Sequence, residues 1–148
     1  MPNSRLLPCP FQILLVEDNP GDIRLLQEAF KESGLTCTLN ITRDGEQAMA
    51  YLLRQGAYAQ CPRPSLILLD LNMPRMDGRE LLARIKKQPE FSCIPVVILS
   101  TSTAREDIQK AYELHANCYV PKPTDLDTLI HLSKAIGGFW LNSALLPG

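Results

Sequence analysis

Residues 66–70 read Leu66-Ile67-Leu68-Leu69-Asp70, four consecutive apolar side chains closed by a carboxylate. Two runs of the same kind flank them: Ile13-Leu14-Leu15-Val16 ahead of Glu17-Asp18, and Val96-Val97-Ile98-Leu99 ahead of Ser100-Thr101. Each run is too short for a helix and lacks the alternation of a half-exposed strand. That combination marks strands buried on both faces of a parallel sheet. Cys37 to Thr42 and Cys118 to Pro121 are weaker candidates, and with them the strands number five.

Helical spacing fills the intervals. Ile23, Leu26 and Phe30 share a face in the first, and Leu126, Leu129, Ile130 and Ile136 mostly do so in the last. The starts carry capping chemistry: Asn19 precedes Pro20, while Asp44, Asp77 and Thr103 are followed three residues on by Gln47, Glu80 and Glu106. Strands alternating with helices through short joints predict an α/β fold, a doubly wound parallel sheet with helices on both sides. Residues 55–64 hold Gly56, Pro62 and Pro64 and predict a longer loop before the third strand.

The composition narrows the class. The 148 residues are 45% apolar and 21% charged, as in one ordinary globular domain. Fifteen Lys and Arg against 16 Asp and Glu give a net charge of -1 with no basic stripe, so no nucleic-acid partner is expected. Cys9, Cys37, Cys61, Cys93 and Cys118 are scattered without a C-x-x-C pair, which argues against a zinc site and for reduced thiols in a cytoplasm. No apolar stretch approaches the ~18 residues of a membrane span, and residues 1–10 lack a signal-peptide core, so no membrane association is expected.

In an open parallel sheet the ligand crevice lies at the carboxyl ends of the strands. Those ends carry Glu17-Asp18, Asp70, Ser100-Thr101 and, after the fifth strand, Lys122. Taken singly, Glu17-Asp18 reads equally as a solvated turn, Ser100 as a loop or cap residue and Lys122 as a surface residue, whereas Asp70, a carboxylate at the mouth of a buried strand, calls for a partner or a cation. Together they place three carboxylates, a hydroxyl and an ammonium at matching positions. Clustered carboxylates repel unless a cation neutralises them, and an all-oxygen set suits Mg²⁺. With that charge balanced, Asp70 can stay ionised and accept a phosphoryl group held by Ser100 and Lys122. No Walker loop, G-x-G-x-x-G or H-E-x-x-H offers other chemistry. His115 and His131 are read as mid-helix surface residues.

From Gln12 to Ser133 the chain resembles the receiver domain of two-component response regulators, a CheY-like, flavodoxin-like fold with strand order 2-1-3-4-5. The matching stretches are Ile13-Leu14-Leu15-Val16-Glu17-Asp18-Asn19, Leu68-Leu69-Asp70-Leu71-Asn72-Met73-Pro74 with Met76-Asp77-Gly78, Pro95-Val96-Val97-Ile98-Leu99-Ser100, and Tyr119-Val120-Pro121-Lys122-Pro123. The resemblance implies phosphorylation of Asp70 by a sensor histidine kinase. It implies a Mg²⁺ or Mn²⁺ ion on Asp18, Asp70 and the Asn72 backbone carbonyl, with Glu17 acting through water. It further implies phosphoryl-binding roles for Ser100, Thr101 and Lys122, a switch made of Ser100 and Tyr119, and a cis peptide at Pro123. In that scheme Tyr119 turns inward on phosphorylation and alters the face made by the fourth helix, fifth strand and fifth helix.

The long loop, Asn117-Cys118-Tyr119 and the Phe139-Trp140-Leu141 tail are similar to the small stand-alone regulators of bacterial and cyanobacterial phytochromes, which implies a phytochrome as the kinase. Residues 1–11 are read as an extension, 12–142 as the receiver domain and 143–148 as a tail. The stretch after Ile136 is too short for an output domain, so output is expected through an unidentified partner protein. Phe139, Trp140 and Leu141 either finish the last helix's packing or form a dimer contact, and a symmetric homodimer is expected.

Three departures are noted. Pro121 lacks a donor and requires a short fifth strand, Ser100 replaces the commoner Thr, and Glu17 replaces Asp. Two other functions remain open at this level: a Mg²⁺-dependent aspartyl phosphohydrolase, which wants an Asp where Asn72 stands, and a degenerate receiver serving as a scaffold.

Overall fold

A computed structural model describes residues 11–73, 76–143 and 146. Cys9, Pro74 and the extension up to residue 10 lie outside the described residues. The five sequence-marked runs are strands: β1 (Phe11–Val16), β2 (Cys37–Thr42), β3 (Leu66–Leu69), β4 (Val96–Ser100) and β5 (Cys118–Pro121). All pair in parallel, in the order β2-β1-β3-β4-β5. Helices α1 (Pro20–Glu32), α2 (Gly45–Leu52), α3 (Gly78–Lys87), α4 (Arg105–Glu113) and α5 (Leu126–Gly137) complete the doubly wound fold. None of the described helices is long and apolar enough to cross a membrane.

The unbroken apolar runs have a direct cause. Successive strand residues point to opposite faces, and both faces are covered. Leu14, Val16, Ile67, Leu69, Val96 and Ile98 pack with Ala48, Leu81 and Ala111 of α2, α3 and α4. Ile13, Leu15, Leu66, Leu68, Val97 and Leu99 pack with Ile23, Leu26, Leu129 and Ile136 of α1 and α5. Burying each Leu, Ile or Val contributes about 1.5–3 kcal/mol. β5 lies at the sheet edge and stops at Pro121, where the missing N–H costs no ladder bond.

Capping follows the sequence at three helices. Asn19, Asp44 and Asp77 accept from the backbone N–H of Asp22, Gln47 and Arg79. The Thr103–Glu106 box does not form: α4 begins after Ala104, which makes no side-chain cap. Ser102 takes over instead, accepting from the Ala104 N–H at 3.2 Å and donating to Asp107 at 2.5 Å. Asp125, unremarked in the sequence, caps α5 by accepting from the Thr128 N–H.

His115 is not mid-helix. It follows α4 with φ of 73°, the left-handed residue that terminates the helix, and its N–H donates to the Tyr112 carbonyl. Arg54 does the same after α2, with φ of 56°. The long loop contains a short 3₁₀ turn, Gly56–Tyr58, and Tyr58 sets its ring 5.5 Å from that of Tyr51. After α5 the chain continues as a π-helical turn, Gly138–Ser143.

Candidate functional site

Backbone pairing runs on just past the strand ends and sets the site. The Glu17 N–H donates to the Thr42 carbonyl, the Asp70 N–H to Val16 and the Lys122 N–H to Ser100. Glu17, Asp70 and Lys122 are therefore each anchored one residue beyond a strand, at the sheet's carboxyl rim. Glu17, Asp18 and Asp70 each bring a carboxylate oxygen within 4.8 Å of the others. Glu17 and Asp70 are buried and Asp18 is half-buried. These are hard oxygen donors without nitrogen or sulfur, so the set fits a divalent ion of the Mg²⁺ or Mn²⁺ kind.

Lys122 closes the cluster from the β5 side. Its ammonium donates to Glu17 Oε1 at 2.7 Å and to Asp22 Oδ2 at 3.0 Å, and it stands 3.8 Å from Asp70 Oδ1. Burial disfavours the ammonium, but the bonds to Glu17 and Asp22 outweigh it and its pKa is raised. Asp70 is pushed up to about 7, first by burial and then by the Glu17 charge, with Lys122 pulling it back. This carboxyl binds a proton near neutrality unless more positive charge arrives.

Asp22 escaped the sequence reading. It stands one helical turn beyond Asp18, in the first turn of α1, and that spacing was the available signal. Asn72 is exposed and its N–H donates to Asp70 Oδ1 at 3.3 Å. Ser100 is fully buried and its Oγ accepts from the Ser102 N–H at 3.1 Å, which leaves its own O–H to donate elsewhere. Thr101 is exposed.

Tyr119 is half-buried against the α2–α3–α4 side of the core, and its hydroxyl donates to the Ser102 carbonyl at 2.9 Å. The ring is thereby turned towards the β4–α4 loop. The β4–α4 loop that receives it is held by Ser102 on Asp107, which in turn accepts from Arg79 at 2.8 Å. Sequence reasoning missed this chain of contacts. The Lys122–Pro123 peptide is trans, against the expectation from resemblance, in keeping with the ordinary trans preference of X–Pro bonds. Phe139 is 56% exposed and meets Trp140 edge-to-face at 4.9 Å, while Trp140 packs onto the α1–α5 side of the core. The Leu141 side chain lies outside the described residues.

The pattern of the response regulator receiver domain matches residues 13–134. Over 138 residues the chain is 51% identical to response regulator Rcp1 of Synechocystis sp., spanning 93% of this chain and 94% of that protein. The crystal structure of the phosphorylated cyanobacterial phytochrome response regulator RcpA is similar with a TM-score of 0.87 at 51% identity, covering 94% of this chain and 99% of that one. The Mn²⁺-bound form of Rcp1 gives 0.85 at 50% identity, covering 94% and 100%.

Proposed function

The chain belongs to the response regulator receiver domain family, and from that premise we propose that Asp70 is its phosphoacceptor. The observation that carries the reading is the buried Asp70 carboxylate at the end of β3, within 4.8 Å of two further carboxylates and 3.8 Å from the Lys122 ammonium. An Asp70 oxygen attacks the phosphorus of a phosphohistidine or an acyl phosphate. The new O–P bond forms as the bond to the leaving imidazole or carboxylate breaks. Lys122 and the Ser100 O–H, with the exposed Thr101 beside them, take up the phosphoryl oxygens.

Glu17, Asp18, Asp70 and the Asn72 carbonyl would hold Mg²⁺ or Mn²⁺, and the bound ion supplies charge neutralisation at the carboxylates and at the phosphoryl oxygens. The site is an acceptor and not a turnover catalyst, because Asn72 has no proton to give where an acid would be needed. The added charge on Asp70 draws the Ser100 hydroxyl to it. It thereby favours the inward Tyr119 and biases the α4-β5-α5 face.

The likeness to RcpA and Rcp1 supports a phytochrome-type histidine kinase as phosphodonor, acting in the cytoplasm. Exposed Phe139 beside Trp140 and Leu141 supports a homodimer, with a further protein as output. Elution as a monomer at all micromolar concentrations, with and without beryllofluoride, would exclude the dimer.

The central test is incubation with acetyl phosphate and Mg²⁺ followed by intact-mass measurement. Wild type gains one phosphoryl mass and Asp70→Asn gains none. An adduct of equal yield on Asp70→Asn would remove Asp70 from this role.

A further inference from the structure

At the opposite end of the sheet from Asp70, the C-terminal end of α2, the turn that follows α3 and the long loop before β3 line a cleft of about 370 Å³. That volume falls within the range of small-molecule sites. Its lining is rich in hydrogen-bond donors. Tyr51 is 4% exposed, and its buried hydroxyl has no hydrogen-bond partner among the described residues. Native proteins rarely leave such a group unmatched, since it costs about as much as a lost hydrogen bond. Arg54 and Arg63 stand on the rim, both exposed, and neither guanidinium hydrogen-bonds or ion-pairs with a described residue. Glu90 also lines the cleft, so two cations and one anion leave a single net positive charge. Phe91 and Pro64, both buried, supply an apolar wall.

Buried phenol, two unengaged guanidinium groups and one surplus positive charge ask for one anionic acceptor on an apolar body. We propose that this cleft binds a small organic monocarboxylate, its oxygens shared by the Tyr51 hydroxyl and the Arg54 and Arg63 guanidinium groups and its hydrocarbon resting on Phe91 and Pro64. Guanidinium and carboxylate match as planar, two-pronged partners. Arg54 and Arg63 are exposed and close on an entering carboxylate first, and the Tyr51 hydroxyl, sealed from solvent in the ligand-free protein, joins them once the cleft wall gives way. The site is independent of Asp70 and gives the long loop a task that the phosphoryl chemistry leaves it without.

The substitution Tyr51→Phe separates binding from structure. It removes the unmatched hydroxyl and keeps the ring, so it should raise the Tm of the ligand-free protein while weakening carboxylate binding. Arg54→Gly is a second safe variant, because glycine is favoured at φ of 56°. Benzoate, phenylacetate and cyclohexanecarboxylate, their neutral amides and inorganic phosphate are each titrated into the full chain and followed by amide NMR.

The carboxylates should shift Tyr51, Arg54, Arg63 and Phe91 and bind about tenfold more tightly than the amides. Tyr51→Phe, Arg54→Gly and Arg63→Gln should each weaken them. The proposal is overturned by any of four results: no carboxylate shifting these residues at tens of millimolar, amides binding equally well, phosphate binding as tightly as benzoate, or Tyr51→Phe lowering the Tm with carboxylate affinity intact.

Discussion

Replacing Gly78 by alanine should cost far more than one methyl suggests. Gly78 opens α3, and a Cβ there would lie 2.5 Å from the Asp70 carbonyl oxygen and 2.6 Å from the Leu71 Cα. Unstrained contacts to carbon need about 3.5 Å, and both neighbours are backbone atoms that cannot rotate aside. The α3 N-terminus must therefore retreat by close to 1 Å on that distance scale. Retreat breaks the bond from the Gly78 N–H to the Leu71 carbonyl, 3.0 Å in the structure. Overpacking of this kind and one lost hydrogen bond together amount to roughly 2–4 kcal/mol.

The carbonyl that the new methyl presses belongs to Asp70 itself, and whatever strain the retreat leaves falls on that residue, so phosphorylation by acetyl phosphate should slow by up to about 10²-fold, the usual effect of misplacing a reacting group by ~1 Å. Gly137→Ala is the control. Its Cβ would press on the Leu35 methyl groups, but those end a half-buried side chain that can change rotamer at about 1 kcal/mol. Alanine in a helix returns about the same amount. Urea unfolding at constant m-value should show Gly137→Ala within ~1 kcal/mol of wild type. If Gly78→Ala is no less stable than Gly137→Ala and accepts phosphate at the wild-type rate, the clash reasoning is wrong.

Other outcomes follow from the charges at the rim. The folded-state pKa of Asp70, about 7, exceeds its unfolded value near 3.8. Its proton therefore stabilises the fold fully below about pH 4, and that contribution, roughly 4 kcal/mol, is lost as the pH rises to about 7. In EDTA, Asp70→Asn should consequently gain roughly 2–3 kcal/mol relative to wild type between about pH 5 and pH 7, and parallel denaturation curves would contradict this. Lys122→Met leaves Glu17 buried without its cation and should cost about 3 kcal/mol in EDTA at alkaline pH, with part of the loss recovered by Mg²⁺ in thermal scans. Ser102→Ala frees the Ala104 N–H and the Asp107 carboxylate, so about 1 kcal/mol should be lost and the Tyr119 ring resonances should broaden, whereas unchanged spectra would separate Tyr119 from this loop.

Much of the fold was legible in the chain because its signals are local. A strand covered on both faces must be apolar at every position, so Ile13 to Val16, Leu66 to Leu69 and Val96 to Leu99 announced themselves. A helix start must satisfy its first N–H groups within a few residues, so Asn19, Asp44 and Asp77 did the same. Once the strands were placed, their polar ends named Glu17, Asp18, Asp70, Ser100 and Lys122, since parallel strands bring all their carboxyl ends to one rim. The cap assigned to Thr103 failed for the complementary reason. Two hydroxyls one residue apart compete there, and Asp107 tips the choice to Ser102.

Contacts between helices and loops had no such local signature. Asp22 meets Lys122 across 100 residues of sequence only because α1 is seated on the sheet with that turn facing β5. Arg79 reaches Asp107, and Tyr119 the Ser102 carbonyl, only once α3, α4 and β5 have packed. The unmatched Tyr51 hydroxyl likewise becomes apparent only when α2 and the long loop have closed over it. Pattern along a chain encodes which residues must leave water, because that depends on each residue and its near neighbours. Which polar atoms then meet depends on the rotation and depth of whole elements, which only the assembled core sets.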